Sequence, residues 1–290
     1  MDVSACMCPT SFPSPASALT CFPKGPLTPQ PCPRTCNPAP PSSPVTPRAQ
    51  LNTCYSGCVD ENDNCNGCYV WFHSLCGCIH DFQSPHGTTC ISSASPPNPP
   101  ITPGQPWNPV WMVLSLGDLI TTTELIPGIL SLGSAVDPDG GFRLGQDTLR
   151  NTFPGQKYNR LTGTLAMNSV ATRSEEQVHI HLCFSQFSGV RGILDGLTRT
   201  NYFNLAWVDL SNIHKPDAPY MYCRASSNQG QDINVSRAIS DYLDYLTAQF
   251  GPDNCAQYTV GAGVITDSQD YSWACVTVGS RAAETIFCYD

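Results

Sequence analysis

The sequence predicts an α+β fold, in which a mainly antiparallel sheet with few helices follows a proline- and cysteine-rich N-terminal region. Beyond residue 110, short runs of alternating apolar and polar residues recur, whereas a clear helical periodicity occurs once. The composition before residue 110 is different. Of the 17 cysteines, 12 precede residue 91, and only six of the 27 prolines lie beyond residue 110. Cysteine at this density is typical of a disulfide scaffold.

These shifts in composition divide the chain into four segments. Residues 1–50 contain 13 prolines, which cannot donate the backbone hydrogen bonds of helices or sheets, and predict an extended arm. Residues 51–94 carry seven cysteines among aromatic and turn residues and predict a small disulfide-stapled module. Residues 95–109 form a second proline run, which predicts a linker. Residues 110–290 have an ordinary composition and predict the globular domain.

Two other interpretations of the cysteine-rich module stay open. Its cysteine pairs, together with His73 and His80, suit a zinc site, although their irregular spacing favours disulfides. Three neighbouring aromatic residues would instead suit a carbohydrate-binding surface: Tyr69, Trp71 and Phe72.

The cysteine content also predicts an oxidising compartment, outside the cell or at its surface, because a reducing cytosol does not maintain disulfides. The first 16 residues show no signal peptide. An odd number of cysteines leaves at least one thiol free, metal-bound or paired with another chain, which favours self-assembly or a disulfide-linked partner. The excess of 23 Asp and Glu over 14 Lys and Arg argues against nucleic-acid binding. No apolar run reaches the 18 residues of a transmembrane segment.

Seven segments of the globular region predict strands, because short apolar or alternating runs are bounded there by turn residues. They are 110–116, 163–169, 177–184, 203–210, 220–224, 257–266 and 271–279. One helix has clear boundaries: after a capping Asp232, apolar residues recur at helical spacing until Gly251 and Pro252 end the helix. A second helix is predicted over roughly 187–197, and a short one after Ser280.

The segment Leu165–Phe184 carries the chemistry. It predicts a strand, a tight polar turn and a second strand. His179 and His181 are two residues apart on the second strand, so both side chains project from one face. A neutral imidazole is a competent nucleophile on phosphorus, and its ordinary pKa near 6.5 keeps much of it neutral at pH 7.

These residues resemble the histidine-triad superfamily, and within it the CDP-diacylglycerol pyrophosphatase family. The resemblance rests on three short runs and on their spacing: Leu165-Ala166-Met167-Asn168-Ser169, Arg173-Ser174, and His179-Ile180-His181 followed by Cys183. It implies a histidine-triad-like antiparallel sheet over about residues 110–290. Residues 110–132 resemble the strand, loop and Gly-Ile segment that precede a helix in that family, and here the helix looks shortened or lost.

The resemblance implies a role for each motif residue. His179 matches the nucleophile that forms a covalent nucleotidyl-histidine intermediate, and His181 matches a phosphate-binding histidine. The other expected phosphate contacts are polar residues of the preceding loop and of the first triad position, where a glutamine stands: Asn168, Arg173, Ser174 and Gln177. Such chemistry needs no metal and no cofactor, because hydrogen-bond donors can carry the developing charge.

The sequence therefore predicts a hydrolase that cleaves a pyrophosphate or phosphodiester bond. The resemblance implies a nucleotide-diphosphate conjugate similar to CDP-diacylglycerol as the substrate, and both a lipid-linked and a soluble second half stay open. The alternative is a secreted or surface structural glycoprotein that uses the same fold as an assembly module. Asn234-Val235-Ser236 is a candidate glycosylation site. The two histidines could also lie on a solvated strand face, or bind zinc together with Cys183.

Overall fold

The computed structural model describes residues 91–92, 111–114, 118–122, 124, 126, 128–150, 159–172, 178–213, 220–252, 254–279 and 281–288. The predicted arm, the linker and nearly all of the cysteine-rich module lie outside the described residues. The same holds for three residues of the motif: Arg173, Ser174 and Gln177. The division of the chain into four segments stays a prediction.

The described residues form nine strands in one antiparallel sheet, which confirms the α+β class with few helices. The strands are β1 (Ile91–Ser92), β2 (Trp111–Val113), β3 (Leu119–Thr122), β4 (Thr164–Met167), β5 (His179–Cys183), β6 (Ala206–Asp209), β7 (Tyr220–Ala225), β8 (Val260–Thr266) and β9 (Ser272–Val278). Their order across the sheet is β1-β2-β3-β5-β4-β8-β9-β7-β6. The two strands of the motif, β4 and β5, are therefore paired neighbours in the interior of the sheet.

Six of these strands lie within predicted segments, β7 extends one residue beyond its segment, and the sequence does not predict β1 or β3. β3 contains no alternation of apolar and polar residues, because Leu119 and Ile120 are followed by threonines. It begins after a turn in which Asp118 adopts a φ of 53°, a left-handed conformation that Asp tolerates better than most residues. β1 pairs with β2 and places residues 91–92 at the edge of the sheet.

Four α-helices are described: α1 (Gly140–Arg150), α2 (Ser188–Asp195), α3 (Val235–Phe250) and α4 (Ala283–Phe287). The last three lie where the sequence predicts them. The helix expected to be shortened or lost after residue 132 is not lost, because α1 has 11 residues. A 3-10 helix, Ile129–Ser134, precedes it.

α1 is hard to predict because three of its residues are glycine, which disfavours a helix. The sheet requires these glycines for close packing. A Cβ atom on Gly141 would lie 2.5 Å from the Trp111 ring, and one on Gly145 would lie 2.6 Å from Leu165. Glycine therefore lets the helix approach the strands more closely than alanine would.

Helices cover both faces of the sheet. The first face, which includes Leu165 and Ile180, packs against α1 and α3. The second face, which includes Ala166 and Trp273, packs against α2 and α4. Alternate residues of β5 therefore enter different cores, as the sequence predicts for Ile180 and Leu182 on one side and the histidines on the other.

Two disulfides lie in the second-face core. Cys183 at the end of β5 bonds to Cys288, directly after α4, and the two are 105 residues apart in sequence. Cys223 and Cys275 are paired opposite each other on β7 and β9. The disulfides predicted for the N-terminal segments lie outside the described residues.

The N-terminus of α3 differs from its prediction. Asn234, not Asp232, is the capping residue, and its Oδ1 accepts a hydrogen bond of 2.8 Å from the backbone N–H of Arg237. Asp232 instead forms ion pairs with Arg150 and Arg160. The end of the helix is as predicted, because Gly251 follows it with a φ of 85°.

Candidate active site

The two histidines of the motif project from the second face near the middle of the sheet. In the ladder, His179 is paired with Thr121 of β3, and His181 lies between Leu119 of β3 and Ala166 of β4. Their ring centroids are 5.3 Å apart, and the ring planes meet at 70°. The i, i+2 spacing thus brings both imidazoles into one site, as the sequence predicts.

This face of β5 is not a solvated surface. His179 is only 5% exposed, and the side chain of His181 is 25% exposed. The alternative of two histidines on an open strand face is therefore wrong. Buried histidines need hydrogen-bonding partners, so the residues around them determine what they can do.

Asn168 enters the same site from the neighbouring strand. It follows β4 directly and is only 7% exposed. Side chains alternate along a strand, so Asn168 shares the second face with Ala166, which is paired with His181. Its Nδ2 atom lies 3.4 Å from Nε2 of His181. The structure thus brings together three residues that the sequence predicts as one site.

A fourth residue, Glu284, completes the site, and the motif gives no sign of it. Glu284 lies in the first turn of α4, and its Oε2 is 2.7 Å from Nε2 of His181. Its backbone N–H donates to Oδ1 of Asn168 at 3.2 Å. Glu284 therefore contacts both His181 and Asn168.

The electrostatics of the site follow from these contacts. The hydrogen bond from His181 lowers the pKa of the Glu284 carboxyl, with further lowering from the Asn168 side chain and from the charge of His179, although partial burial acts in the opposite direction. A carboxylate has no proton to donate, so we assign the proton between them to Nε2 of His181.

α4 reaches this position because β8 is built with glycines beneath it. A Cβ atom on Gly263 would overlap the Phe287 ring, and one on Gly261 would lie 3.1 Å from Cβ of Ala283. The Cys183–Cys288 disulfide then joins the end of α4 to the strand that carries both histidines. If this pairing were known from the sequence, it would predict that Glu284 lies near the histidines. Cys183 is two residues from His181, and Cys288 is four residues from Glu284.

The site does not suit the zinc alternative. Cys183, which would be the third ligand beside the two histidines, is bonded to Cys288 and has no thiolate to offer a metal. Among the residues that the structure describes, no group of three His, Cys, Asp or Glu side chains is placed to hold a metal ion.

The remaining predicted residues are distributed as follows. Arg173, Ser174 and Gln177 belong to the segment between Thr172 and Val178, which is not described. Asn234 is exposed and caps α3, far along the chain from the motif, and its glycosylation stays a prediction. In the described part of the chain, no helix is both long and apolar enough to cross a bilayer.

Comparison with known proteins found no family model that matches this chain and no curated protein that matches it.

Proposed function

We propose that this protein is a hydrolase that cleaves the pyrophosphate or phosphodiester bond of a nucleotide-diphosphate conjugate, with His179 as the nucleophile. One observation supports this most strongly. β5 carries His179 and His181, and Asn168 directly follows its partner strand β4. The three side chains lie together on one buried face, as the motif predicts. The histidine-triad-like character of the sheet and the CDP-diacylglycerol-like substrate belong to the same proposal.

The proposed reaction has two steps. The lone pair of one ring nitrogen of His179 attacks phosphorus, the bond to the leaving phosphate oxygen breaks, and the nucleotidyl group stays on the ring. Water then attacks the same phosphorus, the P–N bond breaks, and the imidazole is regenerated. Donors such as Nε2–H of His181 and the amide of Asn168 would stabilise charge on the phosphoryl oxygens.

Trapping the covalent intermediate tests this proposal. The protein is incubated with a CDP conjugate labelled in the nucleotide and quenched in base, where a phosphoryl-histidine bond survives. We expect an acid-labile adduct on His179, no turnover in His179→Ala, and a rate about 10²–10³-fold lower in His181→Ala. His214→Ala, outside the motif, is the matched control and should retain full activity. Unchanged turnover in His179→Ala would assign the nucleophile elsewhere.

A second candidate function is structural, and the position of Glu284 favours it. Nε2 of His181 already contacts the carboxylate of Glu284, and Oδ1 of Asn168 already accepts the backbone N–H of the same residue, as expected if the site has become an internal packing element. The protein would then be a surface glycoprotein that assembles through an unpaired cysteine. Absence of any nucleotide-conjugate turnover, together with covalent oligomers that disappear on reduction, would favour this function.

Both candidates place the chain in an oxidising compartment outside the cell or at its surface. The two disulfides support this, because such bonds are rarely kept in a reducing cytosol. Peptide mapping by mass spectrometry under non-reducing conditions should find at least about five bridges among the 12 cysteines before residue 91. Mostly free thiols there would contradict the location.

A further inference from the structure

The carboxylate of Glu284 lies where an anionic ligand would be expected. In the proposed function, His181 and Asn168 bind the phosphate of the substrate. In the structure both side chains contact Glu284: Nε2 of His181 is 2.7 Å from the carboxylate, and Asn168 accepts the backbone N–H of the same residue. The ring of His179 lies beside them, with its centroid 5.3 Å from that of His181.

We propose that Glu284 is an internal anion that occupies the phosphate position of the site, so that an external phosphate must displace its carboxylate. This inference rests on the proposed function, because that function makes His181 and Asn168 phosphate ligands. It adds a residue that the motif does not contain, and it limits the kind of phosphate that the site accepts.

The backbone of Glu284 is fixed, whereas its side chain has room to move. The carbonyl of Phe287 accepts a hydrogen bond of 2.7 Å from Phe187, and Cys288 is bonded to Cys183. Ala283 and Phe287 are fully buried against the second face. The Glu284 side chain, however, is 32% exposed. A rotation of this side chain can therefore release His181 without moving α4.

This arrangement selects for the charge of the ligand. Because α4 is held in place, a displaced Glu284 carboxylate remains close to the phosphate that replaced it. Like charges in a partly buried site repel each other, and the repulsion grows with the charge of the ligand. A phosphomonoester carries about two negative charges at pH 7, whereas an internal phosphodiester carries one. The site should therefore prefer a phosphodiester group.

Binding of two matched ligands tests the inference. CMP is the monoester, and its methyl ester is the diester with one charge fewer. For the wild-type protein we expect tighter binding of the methyl ester by calorimetry at pH 7.5. Glu284→Gln should bind CMP at least about tenfold more tightly than wild type, which corresponds to about 1.4 kcal/mol. The gain for the methyl ester should be smaller, so that the preference shrinks or reverses.

Asp244→Asn is the control for net charge, because it removes one carboxylate from an exposed position of α3 on the opposite face. It should leave both affinities unchanged. Thermal unfolding shows whether each variant is folded, and Glu284→Ala provides a second removal of the charge. CMP binding that is equal or weaker in both folded Glu284 variants would overturn the inference, and so would the absence of binding in all proteins.

Turnover of a CDP conjugate by the wild-type protein is measured separately. Wild-type turnover combined with unimproved CMP binding in the Glu284 variants refutes the internal anion and leaves the proposed function standing. No turnover combined with tighter CMP binding in those variants supports the internal anion and refutes the hydrolase.

Discussion

The two faces of the sheet are stabilised in different ways. The first face is covered by α1 and α3, which have 11 and 16 residues and pack through large apolar side chains. The second face is covered by α2 and α4, which have only eight and five residues. Both disulfides of the described residues lie in the second-face core, together with the histidine site.

This difference shows how a short helix can be held precisely enough to build a site. Isolated helices of five residues are unstable, because nucleation costs more than so few hydrogen bonds return. α4 is ordered by its position over the glycines of β8 and by the bond between Cys183 and Cys288. On the first face, the longer helices α1 and α3 are held by the apolar surface that they bury against the sheet.

Of the changes considered, removal of the Cys183–Cys288 bond should reduce the free energy of unfolding most. The double variant Cys183→Ala/Cys288→Ala should lose about 2–5 kcal/mol of unfolding free energy, because a long loop is no longer closed in the unfolded chain. In addition, the amides of α4 should exchange with solvent faster than the global loss explains. Urea unfolding and hydrogen exchange measure the two effects.

The other disulfide is the natural control. Cys223→Ala/Cys275→Ala should lose a similar free energy, but β7 and β9 remain paired through the sheet. Its α4 amides should therefore exchange only as fast as the lower global stability requires. If the amides of α4 exchanged equally fast in both double variants, the order of α4 would not depend on the Cys183–Cys288 bond.

The first face should respond to pH through Asp139, with an effect of about 3 kcal/mol. Burial raises the pKa of Asp139 to about 6, even though Val235 and Ser236 donate backbone hydrogen bonds to it. Its contribution to stability is thus fully present below pH 3.8 and is lost as the pH rises through 6. Relative to wild type, Asp139→Asn should gain about 3 kcal/mol between pH 4 and pH 8.

Urea unfolding at pH 4, 6 and 8 measures this gain. Asp147→Asn, at an exposed position of α1, is the control for the loss of one carboxylate. A constant difference between wild type and Asp139→Asn over this range would show that Asp139 is ionised as easily in the folded protein as in the unfolded chain.

Two glycines, one facing each core, should differ in how they tolerate an added methyl group. Gly263→Ala should cost about 1–3 kcal/mol, because the added Cβ would overlap the rigid Phe287 ring and push α4 away. Gly145→Ala on α1 would crowd methyl groups of Leu165 and Ile120, which can turn aside, and it gains up to about 1 kcal/mol of helix propensity, so its net loss should be smaller than that of Gly263→Ala. Equal losses in the two variants, measured by urea unfolding, would contradict the difference between the faces.

Sequence patterns predict the strands and the histidine pair well because both depend on local spacing. Alternation along β5 is enough to place His179 and His181 on one face and Ile180 on the other. Local spacing does not predict α1, because its glycines allow close contact with Trp111 and Leu165, which are distant in sequence. It also predicts the wrong cap for α3. Asp232 and Asn234 are both suitable capping residues, and only the backbone conformation at the start of the helix decides for Asn234.

Glu284 could not be predicted from the motif for a related reason. It is 103 residues from His181, and its position depends on a disulfide and on the glycines of β8 rather than on any local pattern. Sequence spacing therefore predicts the half of the site that lies on β4 and β5. The half that lies on α4 is determined by tertiary packing.

The smallest expected effect is the contribution of Glu284 to stability. The hydrogen bond from His181 lowers its pKa, so its contribution is present above about pH 4.5 and is lost as the pH falls through the lower, folded value. Glu284→Gln should thus be less stable than wild type at pH 7 by about 1 kcal/mol or less, since the pair is partly exposed. The difference should shrink below pH 4.5 in urea unfolding.

A Glu284→Gln protein more stable than wild type at pH 7 would show that burial of the carboxylate outweighs its hydrogen bonds. A variant that is slightly less stable yet binds CMP more tightly would show that the second face gains stability by occupying its own anion position.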